Sequence, residues 1–124
     1  TDSIENKKNL NLSSITLLMK YGNNSFLFMG DAEKENEQTR QWPNVDVLKV
    51  GHHGSKTSSS QEFLNQTKPK MSIIMAGAGN SYGLPKQEIL DRLNNIGSKI
   101  YRTDESGTIT AVSDGNQIKI NTEK

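Results

Sequence analysis

Apolar residues along the chain come in short bursts separated by polar and glycine-rich stretches. Thr1 to Leu12 is polar and rich in Asn and Lys, which predicts a flexible arm rather than packed structure. Ser14 to Tyr21 reads as a strand, Gly22-Asn23-Asn24 supplies residues that tolerate positive φ, and Ser25 to Met29 returns as a second strand. A β-hairpin is expected there. Beyond Gly30-Asp31, the charged stretch Ala32 to Gln41 predicts a helix, which Pro43 breaks. Val45 to Val50 reads as a short buried strand running straight into Gly51-His52-His53-Gly54-Ser55. Ser59 and Glu62 match a capping box, which places a helix over Ser60 to Gln66.

The second half continues the alternation. Met71 to Met75 is another buried strand, followed by a glycine-rich loop from Ala76 to Leu84. Pro85 suits the first position of a helix whose apolar stripe is Ile89, Leu93 and Ile96, with Gly97 as its stop. Lys99 to Arg102 and Gly107 to Ser113 read as strands, and Asp114-Gly115 turns the second of them into Gln117 to Asn121. Strands alternating with helices and ending in a hairpin predict an α/β layer, one sheet with helices on one face.

Composition adjusts this picture in one respect. The chain has 124 residues, enough for one modest core, yet only 31% are hydrophobic. Mean hydropathy is −0.72. Either the surface fraction is high or another segment completes the core. The chain opens at Thr1 rather than at a methionine, so an excised fragment, a single partial domain over 1–124, is the expectation. A net charge of +1 provides no global field toward nucleic acid or an acidic membrane. The absence of cysteine excludes disulfides and thiolate metal sites. No signal-peptide pattern and no apolar run of about 18 residues is present.

Three constellations carry chemistry. Asp31 leaves the end of a predicted strand through a glycine, a fixed position from which a carboxylate can bridge metals; it can equally cap the helix that follows. His52 and His53, the chain's two histidines, sit between glycines at the carboxyl end of an apolar strand, where α/β sheets place their sites. Neutral imidazole suits zinc, manganese or iron, and adjacent side chains diverge, so one can ligate while the other orients or touches substrate. The alternative is a pair that merely ends the strand. Ser55, Lys56 and Thr57, with Ser58 and Ser59, enter a helix with hydroxyls, free N–H groups and an ammonium, a cradle for an anion or simply a cap. Asn80 and Tyr82, in the later loop, line a pocket or form an ordinary turn. Trp42 and the phenylalanines read as packing residues.

In order, the segments Phe26 to Asp31, Asp46 to Ser60, Lys68 to Ile74, Asn80 to Gly83 and Tyr101 to Thr108 resemble one known family. It is the metallo-β-lactamase-like domain at the end of ComEC-type DNA-internalisation competence proteins, together with its stand-alone relatives. The resemblance covers about Asn11 to Ile120, and the run His52-His53-Gly54-Ser55-Lys56-Thr57 is its most specific part. It implies the C-terminal half of a four-layer αββα sandwich, a mixed sheet with helices on one face and a closing β-hairpin. It also implies a site for two divalent metal ions, zinc or manganese. Carried over, Asp31 is the bridging ligand and His53, or else His52, the last ligand. Ser55, Lys56, Thr57, Asn80 and Tyr82 lie near the substrate, while Asn11 falls where many superfamily members have another ligand histidine. Two features depart from the family pattern. The His-x-His-x-Asp-His segment that supplies most ligands is not in this chain, and Leu84 stands where relatives usually carry histidine.

The implied function is a metal-dependent hydrolase of phosphodiesterase or nuclease type linked to DNA uptake, weak or inactive as this half alone. A non-catalytic remnant that binds nucleic acid or a partner is the first alternative, and a cell-envelope phosphoester hydrolase the second. Implied partners are the missing N-terminal half, DNA or another phosphodiester, and a second copy of the chain. The strands between Ser14 and Met29 are expected to expose apolar surface, which favours self-association. The implied location is extracellular or membrane-attached in a bacterium.

Overall fold

The structure is a computed structural model that describes residues 15–77, 79 and 83–124. Thr1 to Leu12, Asn11 included, and the loop positions Asn80 and Tyr82 lie outside the described residues. Among the described residues, seven strands and four α-helices follow in the order β1 (Leu17–Tyr21), β2 (Asn24–Phe28), α1 (Lys34–Glu37), β3 (Val47–Lys49), α2 (Gln61–Thr67), β4 (Met71–Ile74), α3 (Gln87–Asn95), β5 (Lys99–Arg102), α4 (Thr103–Ser106), β6 (Ile109–Ser113) and β7 (Ile118–Thr122). Strands β1 to β5 form one sheet in that spatial order. β1 runs antiparallel to β2, and β2, β3, β4 and β5 are parallel. The parallel part follows from the helical crossovers, since parallel neighbours need a long connection.

Side chains alternate across this sheet, and the two faces differ. Leu27, Leu48, Val50 and Ile74 point to the helical side and pack with Phe63 and Leu64 of α2 and Ile89 and Leu93 of α3. Each of these side chains is essentially inaccessible to water. The opposite side carries Phe26, Phe28, Val47, Lys49 and Ile73, which with Met19, Tyr21 and Met75 line an apolar cleft of about 610 Å3. Ile109 and Ala111 of β6 form part of its wall. The expected exposed apolar surface is present: Leu17 and Tyr21 are each 57% exposed and Met75 is 50% exposed.

The expected hairpin, the four parallel-sheet strands and the stripe Ile89, Leu93 are found where the pattern placed them. Four details differ. The helix expected over Ala32 to Gln41 is one turn, Lys34–Glu37. Its continuation is drawn inward because Trp42 Nε1 donates to the Glu37 carbonyl at 2.7 Å and the indole packs edge-on against Phe63. α2 is capped by Ser60, whose hydroxyl accepts from Phe63 N, and not by Ser59, which lies at φ 53° outside the helix. Pro85 precedes α3 rather than opening it; Lys86 is the N-cap. The closing hairpin β6–β7 does not extend the main sheet but forms a separate two-stranded one. Polar turn contacts hold it, Ser113 Oγ donating to Asn24 Oδ1 at 2.6 Å and Asn23 Nδ2 to Asn116 Oδ1 at 2.7 Å.

Candidate functional site

The carboxyl ends of parallel strands share one rim of the sheet, and the chain places its chemistry there. After β2 come Gly30 and Asp31; after β3, the 3-10 turn Gly51–Gly54; after β4, Met75; after β5, Thr103. His52 N donates to the Gly30 carbonyl at 2.8 Å, joining the first two loops. Thr103 Oγ1 both donates to the Ala76 carbonyl and accepts from Ala76 N, joining the last two.

Both histidines adopt left-handed backbone, His52 at φ 50° and His53 at φ 55°. Two consecutive non-glycine residues in that region cost of order 1–3 kcal/mol each. Little room for a side chain is left on either side of them. A Cβ on Gly51 would stand 3.0 Å from the Ala32 carbonyl, and one on Gly54, at φ 81°, would overlap Pro85 at 2.6 Å.

The two imidazoles diverge as adjacency dictates, and their hydrogen bonds define each one. His53 Nδ1 lies 2.8 Å from the Met75 carbonyl. A carbonyl only accepts, so Nδ1 carries a proton, and in the neutral ring Nε2 presents a lone pair. That Nε2 faces Asp31 Oδ1 at 3.7 Å, with both side chains about half exposed, 53% and 55%. The separation is too long for a hydrogen bond. Two acceptor atoms facing each other at this distance suit a cation between them. Ligands about 2 Å from a shared ion stand roughly 3.4 Å apart at a tetrahedral angle. A ring whose other N–H is held by a backbone carbonyl is also the usual support for a ligating histidine. Asp31 and His53 therefore fit as two donors to a divalent ion. Among the described residues no group of three or more His, Asp or Glu side chains converges to complete a shell.

His52 belongs to a different network. Its Nδ1 is 3.2 Å from Thr57 Oγ1 and 3.5 Å from Glu33 Oε2, and Thr57 Oγ1 donates to that Glu33 oxygen at 2.8 Å. Ser55 Oγ lies 3.1 Å from Thr57 Oγ1. Asp31 is not the cap of α1; that place belongs to Glu33, whose side chain accepts from the third helical N–H. The cap alternative for Asp31 is thus taken by its neighbour.

The free N–H groups expected along Ser55 to Ser59 are largely committed. Ser55 N donates to the His52 carbonyl and Ser58 N to the Ser55 carbonyl. Ser59 N and Ser60 N both donate to the buried Glu37 carboxylate. An internal carboxylate therefore occupies the end of α2. Burial pushes the Glu37 carboxyl above its ordinary range, against the lowering effect of the Ser60 and Ser59 N–H groups and of Arg92. Lys56 and Thr57 stay exposed on the rim and Ser55 is half-buried. Lys49 lies on the cleft side below the rim, its ammonium pulled down in pKa by burial and pushed back up by the nearby charge of Asp31.

Sequence reasoning passed over Glu33, although a carboxylate two residues beyond Asp31 in the same turn was a usable signal. It also missed the Met75 carbonyl, a backbone group that side-chain patterning cannot reveal.

Residues 8–77 match the metallo-beta-lactamase superfamily. ComE operon protein 3 of Bacillus subtilis (strain 168) is 48% identical over 103 residues, covering 80% of this chain and 13% of that protein. Recombination protein 2 of Haemophilus influenzae is 42% identical over 101 residues, 80% of this chain and 13% of that protein. Competence protein ComA of Neisseria gonorrhoeae is 34% identical over 110 residues, 83% and 16% respectively. The chain thus spans a small part of the length of these curated relatives. The mixed sheet with helices on one face is that of a fragment of this fold. The chain belongs to the metallo-β-lactamase superfamily.

Proposed function

We propose that this chain is the C-terminal half of a metal-dependent hydrolase domain that cleaves phosphoester bonds, of phosphodiesterase or nuclease type, in a protein serving DNA uptake. The observation that carries the reading is the facing pair, His53 Nε2 and Asp31 Oδ1 at 3.7 Å with the imidazole proton turned away onto Met75. Asp31 and His53 would hold zinc or manganese, which when bound supplies an activated hydroxide and stabilises charge on the phosphoryl oxygens. The N-terminal half of the domain provides the remaining ligands and covers the apolar cleft. Lys56, exposed on the same rim, attracts the phosphate. The DNA-uptake context rests on the relatives named for competence, and location at or outside a bacterial membrane follows from it. Among the described residues no helix is long and apolar enough to cross a membrane.

A second reading, a non-catalytic remnant that binds nucleic acid or a partner, is favoured by Leu84 at the rim loop, where an imidazole would otherwise serve. Hydrolysis of a chromogenic phosphodiester by the chain joined to its preceding segment, with zinc or manganese supplied, separates the two. The hydrolase reading expects turnover that falls at least about 100-fold in Asp31→Asn. Metal-loaded protein with no turnover that still retains single-stranded DNA sinks the hydrolase and leaves the remnant.

A further inference from the structure

The proton count around His52 is determined by its neighbours. Glu33 is a carboxylate and accepts only, so the single hydroxyl proton of Thr57 is spent on Glu33 Oε2 at 2.8 Å. Thr57 Oγ1 is then left to accept, and it accepts from His52 Nδ1 at 3.2 Å. In the neutral ring Nδ1 is therefore the protonated nitrogen and Nε2 carries the lone pair. His52 Nε2 has no hydrogen-bond partner among the described residues. The hydroxyl itself is fixed from the backbone, because the Thr57 carbonyl accepts from Lys34 N at 2.8 Å and Glu33 is tied into α1 as its cap. His52 is also held at its main chain by Gly30. Ring, hydroxyl and carboxylate thus form a chain anchored on two loops of the rim beside Asp31 and His53.

We infer that Glu33 and Thr57 are positioning residues that hold His52 as a hydrogen-bond acceptor, its Nε2 reserved for an O–H donor in the site. In a phosphoester hydrolase the available donor is the attacking water, since the leaving ester oxygen carries no proton of its own. Thr57 then serves the site through His52 and not by touching phosphate. The inference rests on the hydrolytic reading for what His52 meets, and on the hydrogen bonds alone for how it is held.

The chain has two histidines, so 15N-histidine labelling reports two imidazoles, assigned by His52→Gln. In alkaline, metal-free buffer we expect His52 in the Nδ1–H form. Thr57→Val should move it toward the Nε2–H form that free imidazole side chains favour, Thr57→Val with Glu33→Ala, which also removes the carboxylate 3.5 Å from Nδ1, should complete that change, and Thr57→Ser should restore the wild-type state. In the protein that includes the preceding segment, added zinc should shift the Nε2 resonance of His53 and leave that of His52 in place. In the metal-loaded protein that includes the preceding segment, Thr57→Val should lower kcat about 10- to 100-fold with KM little changed, and Thr57→Ser should recover it. Wild-type His52 in the Nε2–H form, a tautomer indifferent to Thr57→Val with Glu33→Ala, or zinc bound at His52 Nε2 would each overturn the inference. Failure of zinc to shift either ring counts against the hydrolytic reading, while the tautomer measurement still decides how His52 is held.

Discussion

The two faces of the five-stranded sheet are made by alternate residues of the same strands, yet they have opposite fates. On one face Leu27, Leu48, Val50 and Ile74 disappear under α2 and α3. On the other, Leu17, Met19, Tyr21, Phe28 and Met75 stay substantially exposed around a cleft. The difference shows where the low hydrophobic content matters. The chain has enough apolar residues to close one layer against its helices, and β1, exposed along its whole length, has no layer of its own to close. Asp31 and His53 face each other at the rim shared by both faces.

Substitutions separate the faces by magnitude. Leu93→Ala, at a fully buried position between α3 and the sheet, should cost about 2–5 kcal/mol in denaturant unfolding, because the cavity cannot be filled from a closed layer. A loss under about 1 kcal/mol would mean that the helical face is not the core.

Glu37→Gln tests the polar seam at the edge of that face and should cost about 1–3 kcal/mol, since an amide N–H would oppose the Ser59 and Ser60 N–H groups. Its pH dependence has a definite sign. Burial raises the folded carboxyl above 4.5, so the folded state holds the proton more tightly than the unfolded one. Stability from this group is full below the unfolded value and is lost as pH rises through the folded value. The penalty of Glu37→Gln should therefore be largest in acid and shrink above that range. A penalty that grows with pH would contradict the assignment.

Met19→Glu, on the bare face, should change unfolding stability by no more than about 0.5 kcal/mol. It should instead reduce self-association in sedimentation, because exposed apolar patches of several hundred Å2 are uncommon on monomers. A large stability loss would show that β1 is packed after all.

The same division explains what was legible in the sequence. The hairpin β1–β2 and the strands β3, β4 and β5 were readable because apolar bursts bounded by turn residues mark them. The stripe Ile89, Leu93 was readable because its spacing matches a helical face. The length of α1 was not, since its end depends on Trp42 and Phe63, contacts remote from the stretch Ala32 to Gln41. Asp31 and the histidine pair stood out by residue type and strand-end position. The different surroundings of His52 and His53 did not, because they are set by a carbonyl at Met75 and a hydroxyl at Thr57. Tertiary hydrogen bonds of that kind leave no periodic trace.

The central claim is that Asp31 and His53, and not His52, hold a divalent ion once the preceding half of the domain is in place. Elemental analysis of the chain extended upstream, purified with zinc or manganese present, tests it most directly. We expect about two ions per chain in the wild type, substantial loss in Asp31→Ala and His53→Ala, and retention in His52→Ala. A metal-free extended protein, or metal lost in His52→Ala and kept in His53→Ala, would contradict the account.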